Sequence, residues 1–291
     1  MPVFQKTLLL PEIPSRYLCV IMSERLGKMI ILTGHQGFIG THFKRALWEK
    51  SVYLVEQDTC YKFLKHFDNW DRVTQIIHLG AISSTTETNL NRIHNFNIKF
   101  STKLFKKAIK HQIPVKYASS ASVYGNSHDR SINPLNYYAL SKATIDYWVQ
   151  DHMDEFKSIQ GFRFFNVYGK YEDRKGNQAS PVSKFTKEVR ETGAITLFEG
   201  SDNFYRDFVC VSDVYNLAMN NNLGSGIYDI GTGSPVSFQY VADMVAEKEG
   251  GEIQYVPFPD HLKGKYQNFT KADMNWIKDY QYVTIPEYLQ L

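Results

Sequence analysis

The stretch that most constrains the fold is residues 29–40, where an apolar run gives way to a glycine-rich turn. Residues 29–33 read MIILT, which is typical of a buried parallel strand. Residues 38–48 then carry apolar side chains at helical intervals. The turn contains three glycines at equal spacing: Gly34, Gly37 and Gly40. The stretch therefore predicts a strand, a glycine turn and a helix.

A glycine turn in this position has two interpretations. In the first, the glycines let the backbone approach a pyrophosphate, and the helix N-terminus offers unpaired N–H groups and a favourable dipole to the anion. In the second it is an ordinary turn, because glycine adopts positive φ at little cost. The next apolar segment, residues 52–55, ends at Glu56, about 20 residues beyond Gly34, where a dinucleotide-binding unit places the carboxylate for a ribose hydroxyl. Lys62 would face a 2′-phosphate if the cofactor carried one; a solvated lysine is the alternative.

Strand and helix patterns alternate as far as about residue 165, which predicts an α/β fold built on a Rossmann-type, doubly wound parallel sheet. Further strands are expected at 75–79 and 115–118, with a long helix at 91–111 between them. A loop of small residues, 80–84, follows the first of these strands. Ligands bind at such carboxyl ends in open parallel sheets.

The interval between Glu56 and Gln75 is short for a strand plus a crossover helix. We therefore expect one strand of the sheet to be trimmed there.

Beyond residue 169 the alternation loosens. Residues 170–208 and 256–266 are rich in Gly, Asn, Ser, Pro and charge, and we interpret them as irregular parts of a smaller C-terminal substrate lobe. The predicted organisation has three parts: an N-terminal extension of unknown role at 1–28, an NAD(P)-binding domain at 29–165 plus about 209–248, and a substrate lobe at about 166–208 plus 249–291. The extension is a disordered tail, a contact arm, or a segment upstream of a true start at Met22 or Met29.

Composition and charge exclude several classes of protein. The formal net charge of +3 is too small to predict a nucleic-acid-binding surface, and the lysines at 103–110 alternate with apolar residues, as on the solvated face of a helix. No apolar run is long enough to span a bilayer. Three separated cysteines indicate neither a disulfide framework nor a zinc cluster, and they favour a reducing compartment, the cytoplasm. The motifs H-E-x-x-H and G-x-S-x-G are absent from the sequence, so neither a metal site nor a serine hydrolase is expected.

A second informative stretch is residues 138–142, which read YALSK. Tyr138 and Lys142 share a face if the stretch is helical. A phenol with its ordinary pKa of about 10 is a poor base at neutral pH, whereas a neighbouring ammonium and a positive nicotinamide favour the phenolate. Ser120, at the end of the preceding strand, can hydrogen-bond the same substrate hydroxyl. Chance pairs are common in a chain with 19 tyrosines, but the position after a glycine turn and a Ser-Ser-Ala strand end favours a catalytic role.

Together these motifs resemble the extended short-chain dehydrogenases/reductases, the class that contains nucleotide-sugar epimerases and dehydratases. Further blocks resemble one family within that class, the ADP-glycero-manno-heptose 6-epimerases. These blocks are GFRFFNVYG at 161–169, RKGNQAS at 174–180, LFEGS at 197–201, RDF at 206–208, and VPFPDHLKGKYQNFT at 256–270. Several lie in the expected substrate lobe, where relatives that act on other sugars differ.

The resemblance implies a function and a set of site residues. The function is inversion of C6″ of ADP-D-glycero-D-manno-heptose by transient oxidation and re-reduction with bound NADP, NAD being the alternative cofactor, and the product would feed lipopolysaccharide core synthesis. The implied catalytic residues are Tyr138, Lys142, Lys175 as a second acid/base, and Ser120. The implied cofactor contacts are Gly34, Gly37, Phe38, Ile39, Gly40, Glu56, Gln57, Lys62, Leu79, Gly80, Ala81, Ile82, Ser83, Asn97, Lys142, Val167 and Lys175. The implied substrate contacts are Asn166, Asn177, Lys184, Phe198, Glu199, Gly200, Ser201, Arg206 and Tyr266, and the implied assembly is a homo-oligomer.

The chain also departs from that family. Asn177 and Lys184 stand where the family has serine and histidine, so another nucleotide-sugar epimerase or a 4,6-dehydratase remains an alternative. A dehydratase would be expected to carry an acid beside the catalytic serine, and the segment from Ser120 has none. A nucleotide-sugar binding protein without catalysis is the alternative from another class, against which the presence of Tyr138 and Lys175 argues.

Overall fold

The structure is a computed structural model that describes residues 27–127, 129–260 and 267–290. Its centre is a six-stranded sheet in which every neighbouring pair is parallel. The strands, in the order found across the sheet, are β10 (Gly226–Ile230), β5 (Ile159–Phe164), β4 (Val115–Ser120), β3 (Val73–His78), β1 (Met29–Thr33) and β2 (Val52–Val55). The predicted parallel sheet is confirmed.

Strand β2 forms one edge of this sheet, because the chain passes from it to β3 through a helix of only seven residues, α2 (Cys60–His66). A Rossmann sheet of order 3-2-1-4-5-6 carries a further strand outside this position. We expected a trimmed strand between Glu56 and Gln75, and the structure has no strand among the described residues between β2 and β3.

Successive residues of the strands point to opposite faces, and both faces are covered. Ile31 and Ile76 face a core formed with α2 and with two further helices, α4 (Phe100–His111) and α5 (Tyr137–Asp151). Leu32 and Ile77 face a second core, formed with α1 (Phe38–Ala46) and α7 (Val211–Met219). The sheet is thus doubly wound. The predicted 91–111 helix is present as α3 (Leu90–Ile93), a π-helical segment (His94–Lys99) and α4.

The segment expected to be irregular at 170–208 contains regular structure, so this expectation is wrong. Helix α6 (Pro181–Thr192) is capped by the Ser180 hydroxyl, which accepts from the Ser183 N–H at 3.3 Å, and it ends at Gly193, where φ is 80°. Proline at the first turn and glycine after the last are ordinary helix-boundary signals. Strand β7 (Ala194–Phe198) follows and pairs in parallel with β12 (Glu252–Val256). The remaining short strands are β6 (Asn166–Tyr168), β8 (Tyr205–Arg206), β9 (Phe208–Cys210) and β11 (Val236–Ser237).

The packing differs from the expected domain boundaries in two places. Helix α8 (Phe238–Glu249), expected with the sheet, buries Val241 and Val245 in a third core with α6, β7 and α9 (Ile285–Leu289). Trp276, expected in the substrate lobe, packs against the second core and donates from Nε1 to the Asp229 carbonyl at 2.9 Å. Each of these two elements therefore packs in a core other than the one expected from the sequence. No helix of the described residues is both long and apolar enough to cross a membrane.

Candidate active site

The glycine turn lies between β1 and α1 and is shaped by close backbone approach. Gly34 has φ 73°, and a Cβ there would lie 2.6 Å from the Gly80 backbone at the end of β3. A Cβ on Gly40 would overlap the Gly34 carbonyl oxygen, so glycine is required where α1 packs on the turn. The N-cap residue of α1, Gly37, has no side chain that could cap the helix. The first turn of α1 therefore offers backbone N–H groups next to the glycine backbone, an arrangement that fits the pyrophosphate of a dinucleotide.

Glu56 closes one end of this turn. Its Oε1 accepts a hydrogen bond from the Gln36 N–H at 2.7 Å and lies 3.1 Å from His35 Nδ1. Burial lowers the pKa of His35 and Glu56 opposes that effect, so the contact becomes an ion pair only when the imidazole is protonated. The carboxylate is thereby held at the carboxyl end of β2, where a ribose hydroxyl of a dinucleotide would lie.

Asn97 joins the loop after β3 to helix α5. It lies in the π-helical segment, its Oδ1 accepts from the Ile82 N–H at 2.7 Å, and its Nδ2 donates to the Ile82 carbonyl at 3.0 Å and to Ser141 Oγ at 2.9 Å. Ser141 in turn donates to the Tyr138 carbonyl at 2.7 Å. One buried side chain thus supports both the expected cofactor loop and the helix that carries Tyr138, a role that a π-helical turn often serves.

A buried imidazole holds the ends of β1 and β3 together. His78 Nδ1 lies 2.7 Å from Thr33 Oγ1, which accepts from the Gly80 N–H at 3.0 Å. His78 Nε2 lies 2.8 Å from Ser101 Oγ, which donates to the Asn97 carbonyl at 2.6 Å. Because the Ser101 hydroxyl donates its hydrogen to the Asn97 carbonyl, His78 donates from Nε2 to Ser101 Oγ and accepts at Nδ1 from Thr33 Oγ1. Burial lowers the pKa of His78 to about 3, so the imidazole is neutral.

Tyr138 faces the carboxyl end of β4. Ser120 Oγ accepts from Ser122 Oγ at 2.9 Å and from the Ser122 N–H at 3.2 Å, and it also hydrogen-bonds the Tyr138 phenol. Burial raises the pKa of Tyr138, and the hydrogen bond with Ser120 acts in the opposite direction. The sequence argument that the neighbouring ammonium lowers this pKa is therefore wrong for the protein alone, since desolvation disfavours the phenolate more strongly.

Lys142 lies one turn after Tyr138 in α5, as predicted. Its Nζ donates to the Ala118 carbonyl at 2.7 Å and is 5.9 Å from the centre of the Tyr138 ring. Burial lowers the pKa of Lys142 to about 8, against the opposing charge of Asp146 one turn further along. Asp146 accepts hydrogen bonds from Tyr117, Ser119 and Arg163. The Ala118 carbonyl thus fixes the ammonium at the carboxyl end of β4, with the charge of Asp146 favouring its protonated form.

Lys175 approaches the same region from the segment between β6 and α6. It lies on a 3₁₀ turn (Asp173–Gln178), its Nζ is 3.8 Å from Glu172 Oε1 and 5.4 Å from the centre of the Phe38 ring, and 31% of its side chain is exposed. Burial lowers its pKa, Glu172 opposes this effect, and Lys184 adds to it. A lysine with a lowered pKa can exchange protons nearer neutral pH than a free one.

A single cavity of about 750 Å³ brings most of these groups together. The predicted residues that line it are Gly34, Gly37, Phe38, Ile39, Glu56, Gln57, Leu79, Gly80, Ala81, Ile82, Ser83, Ser120, Tyr138, Lys142, Asn166, Val167 and Lys175. The predicted residues that do not line it are Gly40, Lys62, Asn97, Lys184, Phe198, Glu199, Gly200, Ser201 and Arg206. Tyr266 and the Asn177 side chain lie outside the described part of the chain.

Five of the predicted substrate residues lie on the stretch from the end of β7 to β8, outside the lining of this cavity. Phe198 packs on Phe258 with ring centres 5.5 Å apart, and Ser201 donates to the Phe198 carbonyl at 2.5 Å. Arg206 is buried and donates to the carbonyl oxygens of Tyr205 and Gln267. Gln267 also lines the main cavity, so this group borders it. The remaining two members of the group are Glu199 and Gly200.

Sequence reasoning missed several residues that line the cavity. Ser122 lies on a 3₁₀ turn (Ala121–Tyr124) and its hydroxyl donates to Ser120 Oγ. The Ser-Ala-Ser spacing of residues 120–122 was the signal available in the sequence. The others that carry a polar group include Thr33, Gln36, Ser84, Thr85, Ser119, Gln178, Ser180, Gln267 and Thr270. Within the described ranges, no group of three His, Cys, Asp or Glu side chains could hold a metal ion.

The chain has relatives among known proteins. Residues 30–231 match the model of the NAD dependent epimerase/dehydratase family. The chain is 36% identical over 289 residues to ADP-L-glycero-D-manno-heptose-6-epimerase of Alkalilimnicola ehrlichii, covering 86% of this chain and 90% of that protein.

Two solved structures share the fold. ADP-L-glycero-D-manno-heptose-6-epimerase of Helicobacter pylori superposes with a TM-score of 0.74 at 23% identity, covering 91% of this chain and 94% of that one. UDP-glucose 4-epimerase of Thermus thermophilus, solved in complex with NAD, superposes with a TM-score of 0.73 at 20% identity, covering 90% and 98%.

Proposed function

The chain belongs to the NAD-dependent epimerase/dehydratase family, and on this basis we propose that it inverts C6″ of ADP-D-glycero-D-manno-heptose to give ADP-L-glycero-D-manno-heptose. The observation that carries the proposal is the shared cavity, in which a phenol, a serine hydroxyl and two lysines from distant parts of the chain border one glycine turn. The name of the Alkalilimnicola relative supports the choice of substrate.

The residues that would hold a dinucleotide lie at the carboxyl ends of the strands of the sheet. The glycine turn and the N-terminus of α1 would take the pyrophosphate, Glu56 a ribose hydroxyl, and Lys142 the ribose next to the nicotinamide. When bound, the nicotinamide supplies reversible hydride transfer, with no net oxidation of the sugar.

Proton transfer at the sugar oxygen is the work of the protein. Inversion requires the reacting carbon to present opposite faces in the two half-reactions, so its oxygen occupies two positions. We assign Tyr138 to one position and Lys175 to the other, each exchanging a proton with the oxygen. Ser120 would donate a hydrogen bond to the oxygen on the Tyr138 side. Because burial raises the pKa of Tyr138, this residue holds its proton in the protein alone, and added positive charge at the site is needed before it acts as a base.

For the cofactor we propose NAD rather than the NADP expected from the sequence. Glu56 holds a carboxylate at the end of β2, where a 2′-phosphate would be repelled. Lys62, on which the NADP expectation rested, is exposed on α2 and does not line the cavity. Titration of the purified protein with each dinucleotide decides the matter, and tighter binding of NADP would refute the preference.

The test of the reaction is conversion of the substrate. Purified protein is incubated with ADP-D-glycero-D-manno-heptose and the configuration at C6″ is followed by NMR, with inversion expected. Conversion of another nucleotide sugar while this one stays unchanged would show a different substrate, and conversion of none would favour a binding protein without catalysis.

The assigned roles are tested by Tyr138→Phe and Lys175→Met. Each is expected to lower kcat about 10²- to 10⁴-fold while the cofactor remains bound, since a positioned acid/base contributes that much. Matched controls are Tyr137→Phe, an exposed neighbour on α5, and Lys187→Met, an exposed lysine on α6. Normal turnover in Tyr138→Phe or Lys175→Met would remove that residue from the mechanism.

We further propose that the protein is a homo-oligomer that works in the cytoplasm, where its product would enter lipopolysaccharide core synthesis. Helix α5 leaves Tyr137, Leu140 and Tyr147 exposed, and such groups of exposed apolar side chains mark association surfaces. Light scattering of the purified protein tests this, with a monomer refuting it and Leu140→Glu expected to dissociate the oligomer. Cys60 and Cys210 are free, which suits a reducing compartment, and cell fractionation tests that location.

A further inference from the structure

Lys175 lies on a sharply folded segment between β6 and α6. The backbone has positive φ at Gly169 (148°), Tyr171 (71°) and Gly176 (50°). Such a conformation costs energy at a non-glycine residue such as Tyr171, so the segment needs contacts that over-determine it. One such contact is outside the cavity: Arg45 of α1 donates to the Tyr171 hydroxyl at 2.7 Å and stacks on its ring.

The contact on the inner side of the segment is the carboxylate of Glu172, which is only 1% exposed. Its Oε1 accepts from the Ser180 N–H at 2.5 Å, and its Oε2 accepts from the Ser180 hydroxyl at 2.8 Å. The same hydroxyl caps α6 through the Ser183 N–H. Glu172 therefore ties the start of the segment to the N-terminus of α6, with Lys175 in the loop between.

Glu172 is also the acidic partner of Lys175. The distance from Nζ to Oε1 is 3.8 Å, and Lys184 of α6 is the other charged group that acts on Lys175 among the described residues. Burial disfavours both members of the pair, but the two Ser180 donors and the ammonium stabilise the carboxylate. Removing Lys175 leaves the buried Glu172 carboxylate without its ammonium partner, which is the costly case, whereas Lys175, whose side chain is 31% exposed, keeps contact with water when Glu172 is removed.

We propose that Glu172 is the positioning residue for Lys175: its carboxylate anchors the Lys175 segment to α6 and holds the ammonium at the edge of the cavity. This inference rests on the proposed function, because it takes Lys175 to be the second acid/base. Glu172 does not itself line the cavity, so it acts on the reaction through Lys175.

The test compares Glu172→Gln, which keeps the shape of the side chain and loses the charge, with Glu172→Asp, which keeps the charge and shortens the reach. Glu172→Gln is expected to lower kcat at least about tenfold with little change in KM or cofactor affinity, because Lys175 is no longer held where it meets the sugar oxygen, whereas the other groups that line the cavity are unchanged. Without the opposing charge the pKa of Lys175 falls, so the limb of the pH profile that belongs to Lys175 moves to lower pH. Glu172→Asp is expected to return that limb toward the wild-type pH while kcat stays several-fold low.

A direct readout separates this inference from the proposed function. In protein labelled with ¹³C at lysine Cε, the Lys175 resonance is identified by its loss in Lys175→Met, and its titration gives the pKa of Lys175 whether or not the heptose is a substrate. A lower pKa in Glu172→Gln than in the wild type supports the inference even if C6″ is never inverted. If Glu172→Gln does not fold, Glu172→Asp decides, and wild-type kcat in that variant refutes the positional requirement.

The matched control is Glu191→Gln on α6. Glu191 pairs with Lys187 at 3.7 Å, nearly the separation of Glu172 and Lys175, but the two side chains are 61% and 73% exposed. An exposed pair of this kind has little energetic effect. Kinetics of Glu172→Gln that match those of Glu191→Gln, together with an unchanged pKa of Lys175, would overturn the proposal.

Discussion

Replacing Asn97 with alanine is expected to destabilise the fold and the cofactor site together. The carboxamide is 3% exposed and makes three hydrogen bonds, two with the backbone of Ile82 and one with Ser141. Alanine leaves the Ile82 N–H and carbonyl without these partners. An unsatisfied buried polar group costs about 1–3 kcal/mol, so the two groups together lower the free energy of unfolding by roughly 2–6 kcal/mol.

The assay is urea denaturation of Asn97→Ala and of a matched control, Asn91→Ala. Asn91 lies in the same helical region but is exposed, so its variant is expected to stay within about 0.5 kcal/mol of the wild type. Because Ile82 lines the cavity, dinucleotide titration of Asn97→Ala is expected to show weaker binding as well. Equal unfolding midpoints for the two variants, with unchanged cofactor affinity, would refute the argument that this side chain supports the loop.

Three further predictions concern other parts of the site. The pKa of His78 is about 3 in the fold against 6.5 when exposed, so below pH 6.5 the unfolded state binds a proton that the folded state does not. The free energy of unfolding is therefore highest above pH 6.5 and falls by up to the order of 5 kcal/mol as the pH drops toward 3. Chemical denaturation measures this fall, and His78→Gln is expected to reduce the dependence of stability on pH. Gly40→Ala is expected to abolish dinucleotide binding in a titration, because its Cβ would overlap the Gly34 carbonyl oxygen, whereas Gly224→Ala, with open space around it, is expected to bind normally. Glu56→Gln is expected to weaken NAD binding by about tenfold, since a hydrogen bond to a charged group contributes about 1.5–3 kcal/mol, and to reduce the difference in affinity between NAD and NADP. An NAD affinity equal to that of the wild type would show that Glu56 does not bind the ribose.

The part of the cavity around the glycine turn was predictable because its signals are local. Strand β1, the glycine turn and α1 are contiguous, and each has a pattern that can be read over about a dozen residues. Tyr138 and Lys142 are likewise one helical turn apart, and the predicted helix is present as α5. The direction in which the pKa of Tyr138 is shifted was not predictable, because it depends on burial beneath residues distant in the sequence.

The supporting groups lay beyond prediction for the same reason. Nothing in the spacing of Thr33, His78 and Ser101 indicates that they form one hydrogen-bonded chain, since 45 residues separate the first two and 23 separate the last two. The π-helical turn that places Asn97 toward Ile82 has no pattern distinct from that of an ordinary helix. Such contacts are made by the assembled sheet rather than by any one segment.

The segment around α6 shows where a local pattern misleads. Residues 170–208 appeared irregular because glycine, asparagine and charge dominate their composition. A helix nevertheless begins after Ser180 and ends before Gly193, and its buried face packs against α8, some 50 residues later in the chain. That helix is what gives Glu172 its hydrogen-bond donors, and those donors set where Lys175 lies. The position of the second proposed acid/base therefore depends on a tertiary contact between α6 and α8. A change at this contact, such as Val245→Ala, is expected to alter the pKa of Lys175 more than it alters the site around Tyr138. Comparison of the Lys175 titration with cofactor affinity in Val245→Ala tests this order, and loss of cofactor binding with an unchanged pKa of Lys175 would contradict it.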